Sequence, residues 1–127
     1  MKEYKIDGNK FSDFNGFVTE FDENVFGGLG WDGNLDAFND MLRGDCGTPG
    51  PDENFILTWV NSRKSVDALG HRETLAWLRS RYNKVHPDNR RILDVQISLA
   101  EINNGETLFQ IIVDIILVHK NIELRLM

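Results

Sequence analysis

The chain has 127 residues, 41% apolar and 27% charged, with 20 acidic side chains against 14 basic ones and a formal charge of −6. One acidic globular domain spanning 1–127 is expected, because a chain of this length buries roughly two-thirds of its unfolded surface and holds a core without disulfides or a structural metal. Cys46 as the only cysteine excludes a disulfide framework and a cysteine-rich zinc module, and the acidity argues against direct binding of nucleic acid or an anionic membrane, which takes clustered Lys and Arg.

Residues 3–6 alternate polar and apolar side chains and read as a strand closed by the Asp7-Gly8 turn. Ser12 is the expected cap of a first helix carrying Phe14, Phe17, Val18 and Phe21 at helical spacing. The glycine-rich run 27–33 is a loop that delivers Asn34 as the cap of a second helix over 35–42, ended by Gly44. A loop over 45–54, in which Cys46 is incidental, leads into an apolar strand over 55–60. Helices are expected over 62–69 and 73–85, the latter stopped by Pro87. Asp88 is placed to cap another helix running to residue 103, which Gly105 ends; the last helix covers 106–119 and the last strand 122–126.

This order predicts an α/β fold, with a small parallel sheet of three strands and right-handed crossovers. Trp59 and Trp77 lie in apolar patterns and are expected in the core, while the basic face formed by Arg72, Arg79, Arg81 and Lys84 is expected to be solvated. No apolar run follows the first lysines, and the longest one, 108–118, is too short for a bilayer and interrupted by Gln110 and Asp114. A cytoplasmic protein without membrane contact is the expectation.

The acidity is concentrated at one end: residues 1–54 hold 12 acids and 4 bases, and residues 55–127 hold 8 and 10. Glu20, Asp22, Glu23, Asp32, Asp36, Asp40 and Asp45 face only Arg43, a local field able to attract a basic partner. In the second helix, at about 100° per residue, Leu35, Phe38, Met41 and Leu42 fall on one side and Asp36 and Asp40 together on the other. Like charges four apart cost a helix about a few tenths of a kcal/mol, so a pair kept there points to use rather than to stability. Glu106, Gln110 and Asp114 form a second polar stripe on the apolar last helix, where Asp114 needs solvent or a partner.

Other chemistries find little support. Asp32, Asn34 and Asp36 match the first ligands of a calcium loop, but Ala37 and Arg43 stand where that loop needs glycine and glutamate, and the three histidines lack ligand spacing, so no metal or cofactor is expected. An exposed aspartate pair has no pocket to raise a pKa and no nucleophile triad is legible, so no enzyme is expected.

The stretch WDGNLDAFNDML, residues 31–42, resembles the signature of the barstar-like ribonuclease inhibitors, in which an Asn-capped helix presents two aspartates one turn apart. KIDGNKF resembles that family's first strand and turn, FILTW its second strand, and NGETLFQIIVDIILVHKNIELRLM its final helix and strand, leaving about 70–103 as a helical insertion. The resemblance implies a barstar-like fold and a cytoplasmic inhibitor, of the kind that serves as an immunity protein against a toxin nuclease, that mimics substrate phosphate and blocks a basic ribonuclease as a 1:1 complex of monomers. It places Asp40 at the phosphate site, Asp36 and Asp114 beside it, Asn34 and Leu35 at the helix edge, and Trp31, Gly33, Asn39 and Gly44 around them, with Lys84 outside. The chain departs from the family pattern at Gly30 and Trp31, where tyrosines precede the helix, at Asn39, where a tryptophan separates the aspartates, and at Asp45. A non-inhibitory interaction module of the same fold, binding another basic partner, is the alternative.

Overall fold

The computed structural model describes residues 1–45 and 47–127; Cys46 lies outside the described residues. Three strands, β1 (Lys2–Asp7), β2 (Phe55–Val60) and β3 (Ile122–Leu126), pair in parallel with β2 in the centre. Six helices connect them: α1 (Phe14–Asn24) and α2 (Leu35–Leu42) before β2, then α3 (Ser62–Ala68), α4 (His71–Arg81), α5 (Arg90–Glu101) and α6 (Leu108–Val118) before β3. The α/β class and three-stranded parallel sheet therefore match the expectation. Among the described residues no helix is long and apolar enough to cross a membrane.

Parallel sheets are ordinarily covered on both faces. Here the period of two in β1 sends Tyr4 and Ile6 into the core and leaves Glu3 and Lys5 outside, and in β3 Glu123 and Arg125 stay exposed likewise. Central Thr58 is shielded on that outer face by its neighbours and donates to Glu3 Oε2 at 2.6 Å. On the inner face Phe55, Leu57 and Trp59 meet α1, α2 and α6 through Phe17, Phe21, Phe38, Leu108, Ile112 and Ile116. Trp59 is fully buried, stacked on Phe17 and donating to Ser65 Oγ at 2.9 Å.

The segment 70–103 forms α4 and α5 with a small core of its own, Leu78, Leu93 and Ala100. Its first turn is tied to both neighbouring helices. Glu73 Oε2 accepts from the Phe14 amide at 2.6 Å at the start of α1, and Thr74 Oγ1 accepts from the Leu108 amide at 2.7 Å at the start of α6. Further along the unit is looser: Ile92, Val95 and Leu99 remain exposed on α5, and Ile102 just past its end. Trp77, expected in the core, is half-buried between the two clusters with the Arg81 guanidinium 4.7 Å above its ring.

Local capping explains where the elements depart from expectation. Asp13, not Ser12, caps α1, its Oδ1 accepting from the Gly16 amide at 2.7 Å. Asp88 caps nothing: a 3-10 turn, Pro87–Asn89, intervenes, His86 accepts from the Asp88 amide, and α5 begins only at Arg90. Helix α4 starts earlier and ends earlier than its apolar spacing suggests. Helix α6 starts at Leu108, because Thr107 and Gln110 close a reciprocal capping box, two orphan amides satisfied by two side chains.

Candidate functional site

Helix α2 has eight residues and is anchored from behind. Leu35, Phe38, Met41 and Leu42 are buried, and Asn34 Oδ1 accepts from the Ala37 amide at 2.9 Å. The approach to it is equally fixed: the Asp22 carboxylate accepts from the amides of Gly30 at 3.1 Å and Trp31 at 3.0 Å, and Asp32 Oδ1 from that of Asn34 at 3.0 Å. Gly33, at φ +95°, lets the backbone pass Phe14 and Val18, whose atoms would lie 3.3 and 3.2 Å from a Cβ. Gly44, also at φ +95°, lies against Gly50 so closely that a Cβ would strike the Gly50 carbonyl. These two glycines shape the ends of α2 by allowing close backbone approach.

Asp36 and Asp40 stand exposed on the free side of the helix, as the spacing predicts. Asp36 lies in the first turn, where the helix dipole favours it. Asp40 has one neighbour of opposite charge, Arg43, with 3.7 Å between Oδ1 and Nη1 and both side chains 57% exposed, a pair of small energetic weight. Along one flank of this acidic ridge, Leu29, Trp31, Ala37 and Met41 line a shallow depression of about 260 Å³. Along the other, Asn39 Oδ1 takes a hydrogen bond of 2.7 Å from Nε2 of buried His119 at the end of α6. Burial, and then the nearby Arg43 charge, push the His119 pKa below its ordinary value, so the neutral ring is favoured.

Several residues expected on the face have structural employment as well. Trp31 and Leu35 are 6% and 8% exposed. The Trp31 ring stacks on Phe38, 4.8 Å between centroids, and its Nε1 donates to the Asn34 carbonyl at 2.9 Å. The Trp31 ring, which the resemblance places beside the acidic face, completes the core from there, as an indole does when its N–H finds a partner inside. Asn39 is similarly engaged by His119, and Gly44 is buried. The acidic field narrows too, since Glu20 accepts from the Asp7 amide and Asp22 holds the loop, leaving Glu23, Asp32, Asp36, Asp40 and Asp45 exposed.

Asp114 is exposed on α6, which packs against α2. Its interacting neighbour is Glu106: a hydrogen bond that the protonated Glu106 carboxyl donates to Asp114, then burial and the Asp114 charge, raise the Glu106 carboxyl above its ordinary value. Asp114 and Glu106 thus form an acidic pair, and no ion pair joins Asp114 to a cation among the described residues.

The feature that sequence reasoning missed lies at the N-terminal end of the ridge. Across a groove of about 390 Å³ from Asp32, Gly33 and Asn34 stand Trp77, Ser80, Arg81 and Lys84 of the α4 region. Lys84, expected outside the site, therefore borders it. No protein-family model, no curated protein and no solved structure matches the chain.

Proposed function

We propose that the chain is a non-enzymatic protein inhibitor of a basic ribonuclease, with a barstar-like architecture. The observation that carries the reading is the α2 ridge: Asp36 and Asp40 project side by side into solvent from a helix whose opposite face is buried. Carboxylates offer guanidinium and ammonium groups the charge-assisted hydrogen bonds that a phosphate would, so such a ridge fits a phosphate-binding cleft. The surrounding acids steer a basic protein toward it, and the depression beside Met41 gives an apolar side chain of that partner a seat. A role in shielding the host cell from a toxin nuclease follows from the same resemblance of residues 31–42.

The test is titration of the protein against a panel of small basic microbial and toxin-type ribonucleases, following RNA cleavage at low and high salt. Inhibition is expected to be stoichiometric and to slacken with salt. Asp40→Ala weakens it most, by about 2 to 5 kcal/mol if the charge is fully covered by the partner. Asp36→Ala and Asp114→Ala weaken it less, and Lys5→Ala on the open sheet face not at all. Equal behaviour of Asp40→Ala and Lys5→Ala would refute the assignment. A second reading, a non-inhibitory module for another basic protein, is favoured by the Asp40–Arg43 pair and the inward Trp31; it predicts binding to a basic partner without loss of cleavage.

A further inference from the structure

The geometry points to a second recognition element, which rests on the α2 reading: we propose that the wall formed by Arg81 and Lys84 receives a carboxylate side chain of the same basic partner. Three observations converge on it. First, Arg81 and Lys84 face Asp32 and Asn34 across an open groove that is continuous with the N-terminal end of the acidic ridge. Second, among the described residues neither cation has a carboxylate within ion-pair distance, and Asp32 has no cation; the groove has not collapsed into an internal salt bridge. Third, the Arg81 end of the wall is held in place. Arg81 lies over the Trp77 ring, Trp77 meets Phe14 edge to face at 6.5 Å, and the Glu73 bond to the Phe14 amide fixes α4 against α1.

A partner docking on Asp36 and Asp40 must bring cations to α2, yet a uniformly basic surface would be repelled where it crosses Arg81 and Lys84. The partner that fits both charges carries an aspartate or glutamate at the rim of its basic cleft. Repulsion of the wrong surface discriminates as effectively as attraction of the right one, so the wall sets which basic nucleases are accepted. The inserted helices acquire a purpose by this route: they give the acidic face an oppositely charged border.

The experiment uses the full-length protein and whichever nuclease of the panel it inhibits. Arg81→Glu and Lys84→Glu are measured singly and together, with Arg81→Gln and Lys84→Gln as milder variants because Arg81 packs on Trp77, and thermal unfolding checks each fold. Each neutralisation is expected to weaken inhibition by about threefold, the scale of one exposed charge pair, and the double reversal by about tenfold or more. Inhibition that is lost in Asp40→Ala but unchanged or strengthened by the reversals overturns this proposal alone. Absence of inhibition by the wild type across the panel overturns the α2 reading and this one with it. RNA binding by the free protein that vanishes in the double variant reassigns the wall to phosphate and also overturns it.

Discussion

His119 is where the acidic face is joined to the body of the protein. Its Nε2–H donates to Asn39 from a buried position beside Arg43, and its pKa is held below the ordinary value by that burial and then by the guanidinium. The folded state therefore binds fewer protons than the unfolded chain just below the ordinary value. The stability contributed by the neutral ring is complete above the unfolded pKa of about 6.5 and is lost as pH falls through the lowered folded value. The melting temperature is expected to drop between about pH 7.5 and about pH 5.5, and to drop less in His119→Gln, whose amide still donates to Asn39 but does not titrate. Thermal unfolding at the two pH values checks this; parallel declines would show that His119 is not the titrating group. None of this was legible in the sequence, where Asn39 and His119 are 80 positions apart. The same holds for Asp22, counted there with the acidic field and used instead to hold two loop amides.

The elements themselves were more legible, and for local reasons. Helix α2 has the expected bounds because Asn34, the apolar spacing and Gly44 all act within a dozen residues of chain. Strands β2 and β3 also fall where their apolar runs place them. Ambiguity arose where two capping residues adjoin, as at Ser12 and Asp13, or where a turn interposes, as at Pro87–Asn89. Because α2 is only eight residues long, its cap carries a large share of its order. Asn34→Ala is expected to lower the unfolding free energy by about 1 kcal/mol, and Asn34→Asp to retain most of it, since aspartate accepts from the same amide. Urea unfolding of the two variants decides the matter, and a harmless alanine would mean that packing alone holds the helix.

At the scale of the whole molecule there are two cores of unequal size. The larger joins the sheet to α1, α2 and α6; the smaller closes α4 on α5. Few buried apolar side chains and a largely exposed helix mean that α5 opens at lower free energy than β2. Native-state hydrogen exchange is expected to show weaker protection for α5 amides than for β2, with the first turn of α4 in between because Glu73 and Thr74 tie it to α1 and α6. Equal protection in α5 and β2 would mean that the two cores unfold as one. The α4–α5 unit was visible in the sequence as helical periodicity, but its position beside the acidic face was not, since that depends on contacts between distant residues such as Glu73 and Phe14, 59 positions apart.

Trp77 gives that position an optical consequence. Two of the three indoles, Trp31 and Trp59, are buried in the larger core, whereas Trp77 is half-buried at the groove with a guanidinium over its ring. The intrinsic fluorescence of the folded chain therefore divides into two shielded emitters and one that a small quencher can reach. A protein that covers the groove shields the third, so the wall beside α2 signals its own occupancy without a label.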